Sequence, residues 1–230
     1  MCGRFTSSQR REQIGERFEV AVPETVEPRF NVAPAQRILG VRLDETGERQ
    51  ATWLRWGLLP HWAKDDRVAF KMLNAKAETL TEKPAYRGLL AKKRVLIPAD
   101  GFYEWRVSPI DGKKEPIRFA LHDEALFAFA GLWTSRVDET SGEIIESTTV
   151  ITCSPNELVA PVHNRMPVIL DRELEQAWLD PACSREEALT FLRPYPAELM
   201  VSSLASRRVN SVRNDDPSLL EPDADAELAA

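Results

Sequence analysis

The chain has little cysteine, little histidine and no long apolar run. Only three of its 230 residues are cysteine and only three are histidine. Cys2, Cys153 and Cys183 are odd in number and widely spaced. That argues against a disulfide framework or a CxxC zinc site and fits a reducing cytosol. No His, Cys and carboxylate groups cluster at ligand spacing, so no metal and no other cofactor is expected. No apolar stretch reaches the ~18 residues of a membrane span, and the N-terminus has no apolar secretory core. Internal repeats and low-complexity linkers are also missing. What remains is an ordinary globular composition, 43% hydrophobic and 29% charged, long enough for one sizeable core. A cytoplasmic monomer with no membrane partner is the expectation.

The formal net charge of −6 looks wrong for a nucleic-acid partner, but its location matters. After Arg213 the chain carries Asp215, Asp216, Glu221, Asp223, Asp225 and Glu227 and no Lys or Arg. Without that tail, 30 basic and 30 acidic residues balance. The body is therefore neutral and has the means for a basic face. Residues 1–222 are expected to form one domain, and 223–230 an acidic, disordered tail.

Patterning gives the class. Strand-like runs cover Arg37–Leu43, Ala51–Trp56, Arg94–Ile97, Ile117–Leu121, Leu126–Ala130 and Thr148–Thr152. Thr6-Ser7-Ser8-Gln9 has capping-box spacing and predicts a helix start, with Ile14 and Phe18 four apart on its inner face. Short helices are expected near Lys83–Ala91, Pro155–Val159 and Arg172–Leu179, and after Ser184, whose partner in a capping box is Glu187. Adjacent strands with scattered helices predict an α+β fold: a β-rich single domain with an antiparallel, barrel-like sheet and peripheral helices.

Five places hold candidate chemistry. Cys2 follows the initiator Met1, and a small residue at position 2 normally permits removal of the methionine. Cys2 would then carry an α-amine, titrating near ~7.7–8.0, beside a thiol near ~8.5. Such a 1,2-aminothiol condenses with an aldehyde to a Schiff base and closes on it as a thiazolidine. The alternative is a small buried hydrophobe. In Trp56-Gly57-Leu58-Leu59-Pro60-His61-Trp62 the two tryptophans serve as core packing or as stacking platforms, and Trp62, beyond the turn, is the better candidate for exposure. In Leu73-Asn74-Ala75-Lys76-Ala77-Glu78, Asn74 is either a helix N-cap or a donor to a substrate oxygen, and Glu78 is either a surface charge or a site residue. Glu104, between Tyr103 and Trp105, is a strand glutamate pointing outward or a carboxyl with a raised pKa that can shuttle protons. His163 lies in a proline-bounded loop ahead of an apolar run, with Arg165 two positions on, placed to meet a phosphate.

Together the segments MCGRF, WGLLPHWA, NAKAET, IPADGFYEW, HNRMPVIL and VNSVRND resemble, in this order, the SRAP (SOS response-associated peptidase) family of abasic-site processing proteins. The resemblance runs from Cys2 to about Pro222. It implies binding of single-stranded DNA containing an abasic site, whose open-chain sugar is an aldehyde. It implies Cys2 as the nucleophile and covalent attachment point, with Asn74, Glu104 and His163 as its partners. It implies DNA contacts at Arg4, Trp62 and Arg165. Lys76 stands where the family often has Arg, which keeps the charge but loses the bidentate fork. Self-removal of Met1 and an abasic-site lyase side activity also follow from the resemblance. Two other classes stay open: an N-terminal-nucleophile amidotransferase, which also begins Met-Cys-Gly, and a non-covalent single-strand binder in which Cys2 is structural.

Overall fold

A computed structural model describes residues 2–63, 65–139 and 141–222. The expected acidic tail, 223–230, lies outside the described residues. The strands, in chain order, are β1 (Phe5–Ser7), β2 (Arg29–Val32), β3 (Arg37–Leu43), β4 (Arg49–Trp56), β5 (Asn74–Lys76), β6 (Arg94–Ala99) and β7 (Gly101–Val107). They continue as β8 (Lys114–Leu121), β9 (Phe127–Val137), β10 (Ile144–Cys153), β11 (Met166–Pro167), β12 (Ile169–Leu170) and β13 (Met200–Leu204).

Five of these strands close into a barrel. β3 pairs with β4, β4 with β10, β10 with β9, β9 with β6, and β6 returns to β3. Closure removes the free edges that an open sheet would expose. The expected antiparallel, barrel-like sheet is present, with one parallel pair in the ring. A ring of alternating strand directions must have an even number of members, so a ring of five contains a parallel pair. That pair is β4–β10, with Ser147 opposite Arg55. β5 also lies parallel to β10, in register Asn74 to Val150 and Lys76 to Thr152.

β11 and β12 pair with β10 and β9, and the other five strands form an antiparallel sheet in the order β13-β8-β7-β1-β2. Its core contact with the barrel is aromatic. The Phe5 ring sits 5.1 Å from Trp56 and 5.7 Å from Phe129, and Phe102 meets Phe129 edge-on at 6.3 Å. Trp56 is therefore the packing tryptophan, fully buried with its Nε1 donating to Leu73 O at 3.0 Å. Gly57 follows at φ +119°, and a Cβ there would meet Ala69 O at 2.8 Å. The turn that presents Trp62 thus requires glycine.

A single residue, Asp100, separates β6 of the barrel from β7 of the second sheet. Its side chain is wholly buried. The carboxylate accepts from the Thr6 hydroxyl, from Ser8 N, from Ser8 Oγ at 3.0 Å and from Gln9 N at 3.2 Å. Arg118, also buried, lies 3.6 Å from it and donates to Asp100 O at 3.0 Å. A Cβ on Gly101 would come within 2.7 Å of Arg118 Nε and 2.9 Å of Thr6 Oγ1, so the close approach depends on that glycine.

This network corrects the expected helix start. Thr6 and Ser8 serve Asp100 and end β1, and the helix begins later, at Arg11–Phe18, where Gln13 Oε1 accepts from Arg10 N at 3.1 Å. Ile14 and Phe18 do face the core. Pro155–Val159 is a turn rather than a helix. Asn156 holds it, accepting from Val159 N at 3.0 Å and donating to Tyr195 O at 2.8 Å. Ser184 caps the helix Arg185–Thr190 as expected, accepting from Glu187 N at 3.1 Å. No helix is long and apolar enough to cross a membrane among the described residues.

Replacing Asp100 with Asn keeps the shape, removes the charge and turns one acceptor into a donor facing donors. We expect Asp100→Asn to lower the unfolding free energy in a urea titration by about 3 kcal/mol, the scale for breaking a buried hydrogen-bonded charge. An unchanged midpoint would show that the network is dispensable.

Candidate active site

β1 continues backward into Arg4, Gly3 and Cys2 alongside β7. Tyr103 N donates to Arg4 O at 3.0 Å, which continues the register of β1 on β7 toward Glu104. Cys2 is completely buried, and its Sγ lies 3.9 Å from Arg4 O. Burial pushes the thiol well above the ordinary cysteine range, and the negative charge of Glu104 adds to the effect. Asn74 reaches across from β5 and donates from Nδ2 to Cys2 O at 2.8 Å. It opens a strand and caps no helix, which removes the N-cap alternative. Its Oδ1 is buried and has no hydrogen-bond partner among the described residues.

Glu104 points inward, only 4% exposed. The outward-facing alternative is thereby set aside. Burial raises its carboxyl to about 7. His163 Nδ1 lies 3.9 Å from Glu104 Oε1. The same nitrogen lies 3.0 Å from Arg165 N and 3.1 Å from Arg165 O, so it accepts from the one or donates to the other according to the tautomer. Burial lowers the His163 pKa from its ordinary value. Cys2, Asn74, Glu104 and His163, spread across the sequence, thus converge.

A cleft of about 480 Å³ reaches Glu104 and His163 of this group, lined by them with Arg4, Trp105, Lys114 and Asn210. Arg4 Nη1 donates to Asn31 Oδ1 at 2.6 Å and to Val209 O at 2.7 Å, and its guanidinium sits 5.8 Å from the centre of the Trp105 ring. Trp105 Nε1 donates to Asn210 Oδ1 at 2.7 Å. Trp105, Lys114 and Asn210 were not among the residues singled out from sequence. Two of them lie inside recognised segments, IPADGFYEW and VNSVRND, so only their roles went unread.

The other expected DNA contacts lie outside that cleft. Trp62 is 55% exposed on the turn after Gly57. Lys76 is exposed at the end of β5. Arg165 is engaged in a bidentate pair with Glu78, at 2.8 and 2.9 Å, and donates to Thr152 O at 2.6 Å. Among the described residues, no group of three His, Cys, Asp or Glu side chains could hold a metal ion.

Comparison with known proteins places this geometry. A family model described as SOS response associated peptidase (SRAP) matches residues 1–212. Abasic site processing protein YoqW of Bacillus subtilis is 45% identical over 226 residues, covering 96% of this chain and 99% of that protein. Abasic site processing protein YedK of Escherichia coli is 28% identical, covering 96% of this chain and 100% of its own. A Bacteroides thetaiotaomicron protein of known crystal structure superposes with a TM-score of 0.85 at 26% identity, over 96% of this chain and 100% of that one.

The raised Glu104 pKa has a thermodynamic consequence. The native state holds this proton more tightly than the unfolded chain, whose glutamate titrates near 4.5. Stability is therefore lost as the pH rises from about 4.5 to about 7 and is level beyond. Glu104→Gln lacks this loss. In denaturant titrations it should match the parent near pH 5 and exceed it by about 2 kcal/mol at pH 8. Parallel stability curves across that range would refute the assignment.

Proposed function

The chain belongs to the SRAP family, and from that premise we propose that it traps abasic sites in single-stranded DNA as a covalent adduct on Cys2. The names of its relatives, abasic site processing proteins, support the substrate. The observation that carries the chemistry is the Asn74–Cys2 hydrogen bond, which fixes the N-terminal residue beside a carboxyl titrating near 7.

The reaction begins once Met1 is removed and Cys2 has a free amine. The neutral amine attacks the C1′ aldehyde, and its proton passes to the oxygen, giving a carbinolamine. Protonated Glu104 donates to the hydroxyl, which leaves as water, and an iminium remains. The Cys2 sulfur then adds to the iminium carbon. Its proton goes to the Glu104 carboxylate, with neutral His163 as an alternative acceptor at the cleft. The balance is one aldehyde and one aminothiol giving one thiazolidine and one water. Burial keeps the sulfur protonated, so its proton must leave as the bond forms, and a base of pKa near 7 suits that step. Asn74 holds the Cys2 backbone, and its Oδ1 is available to the incoming sugar hydroxyl.

Escape of the Schiff base by β-elimination would cut the strand, a lyase side reaction that ring closure suppresses. The peptidase in the family description is assigned here to release of Met1 from this chain. Arg4 and Lys76 supply a phosphate grip weakened by salt. Trp62 offers a ring for a base to stack on. The complete burial of Cys2 favours one rival, a non-covalent single-strand binder with a structural cysteine. The following experiment separates the two.

Protein with Met1 removed, mixed with a single strand carrying one abasic site, should yield an adduct that survives denaturation and appears by intact mass. Cys2→Ala should yield none, and adduct formation undiminished in that variant would sink the proposal. Glu104→Gln should slow the reaction by about 10²-fold or more. In the parent the rate should rise as the amine deprotonates near ~7.7–8.0 and be held back above pH 7 as Glu104 loses its proton. The Glu104→Gln profile should keep the first limb and lose the second.

A further inference from the structure

Arg165 is not a free cation. Its two terminal nitrogens meet the two oxygens of Glu78 at 2.8 and 2.9 Å, in the fork geometry with which arginine also takes a phosphate. The pair is lopsided in burial. The Arg165 side chain is 14% exposed and that of Glu78 is 50% exposed. Arg165 has a second holder that does not depend on Glu78: Nη2 donates to Thr152 O at 2.6 Å and lies 3.4 Å from Thr152 Oγ1. Its backbone is fixed as well, through a hydrogen bond with His163 Nδ1. Glu78 is set on the short 3₁₀ turn Ala77–Thr79 that directly follows β5. Lys76, at the end of that strand, bears on the same carboxylate, which the Arg165 hydrogen bonds hold below the ordinary glutamate range. Lys76, Glu78 and Arg165 therefore form one charged cluster where β5 runs beside β10, next to His163.

We propose that Glu78 is an internal stand-in for a DNA phosphate: it occupies the Arg165 fork in the empty protein and is displaced by the strand. This rests on the reading that Arg165 faces the DNA backbone. An incoming phosphate replaces one anion in the fork with another, so Arg165 keeps a charged partner and the half-exposed carboxylate is released to solvent. Arg165 stays aimed throughout, because Thr152 and the backbone keep it in place. The released carboxylate then lies near the bound strand and repels it. Glu78 thereby sets how tightly undamaged single strands are held. Loose holding of undamaged DNA suits a protein whose lasting attachment is the covalent bond at Cys2.

The test uses a labelled single strand without an abasic site, so the covalent step does not enter. Fluorescence anisotropy gives Kd across a sodium chloride series for the parent, Glu78→Gln, Arg165→Gln and the double variant. Glu78→Gln should bind about 5-fold more tightly, the upper end of what an exposed ion pair withholds. Its plot of log K against log salt should steepen by about 0.7, the increment for one more contact on a single strand. In the Arg165→Gln background the same substitution should do much less. Weaker binding by Glu78→Gln would overturn the proposal, because Glu78 would then be orienting Arg165. Equal tightening in both backgrounds would also overturn it, as a general charge effect. Thermal melts of Glu78→Gln should match the parent. A parent that crosslinks abasic DNA while the cycle is null sinks only the role of Glu78. A positive cycle without crosslinking sinks only the chemistry at Cys2.

Discussion

The buried carboxylate of Asp100 is the constraint on which the site depends. It occupies the one-residue joint between barrel and second sheet, and it collects donors from Thr6, Ser8 and Gln9. An ionised group in that position is tolerable only because those donors and Arg118 surround it. The consequence reaches beyond local stability. Pinning residues 6–9 to the start of β7 fixes β1, and β1 leads back through Arg4 to Cys2. A residue so near the start of the chain would ordinarily fray. Here the anchor at Asp100, the Phe5 ring among Trp56 and Phe129, and the Asn74 amide hold it in three directions.

The electrostatics follow from the same enclosure. Cys2 and Glu104 are each pushed toward their neutral forms by burial, and each anion would further disfavour the other. The resting site therefore avoids two adjacent buried charges. A protonated carboxyl and a protonated thiol are poor reagents separately. In the proposed reaction, loss of water needs an acid and ring closure needs a base of similar strength, and a pKa near 7 would suit one group to both. His163 remains neutral beside it and adds capacity without adding charge.

Much of this was legible in the sequence, and the exceptions have physical causes. Barrel strands read well because β-branched and aromatic runs between turn residues carry a local signal, as in Arg37–Leu43. The parallel β4–β10 pair could not be read locally, since it comes from the parity of a five-membered ring. Thr6-Ser7-Ser8 matched a helix cap because side-chain acceptors and donors suit several partners, and here the partner was Asp100, 92 to 94 residues away in sequence. Glu104 and Asn74 were left between two readings each. Which way a strand residue faces depends on register with β8 and β10, and register is a property of the folded sheet. The engagement of Arg165 by Glu78 was invisible for a like reason: the pair spans 87 residues.

The C-terminal stretch shows that the working unit extends past the end of the family match. The family match ends at residue 212. Yet Asn31 Nδ2 faces the carbonyls of Ser211 at 3.0 Å and Asn214 at 2.7 Å. Asp215 accepts from Asn31 N at 3.0 Å and pairs with Arg29. Asn31 in turn presents Oδ1 to Arg4, whose carbonyl sets the level of β7. The acidic residues just after Arg213 are therefore not simply a solvated end. Asp215 and Asp216 are tied to Arg29 and Arg208. The neutral charge balance of the body acquires a structural meaning from this. Its arginines are largely engaged by carboxylates and carbonyls that orient them, so its positive charge is a set of aimed forks rather than a diffuse excess.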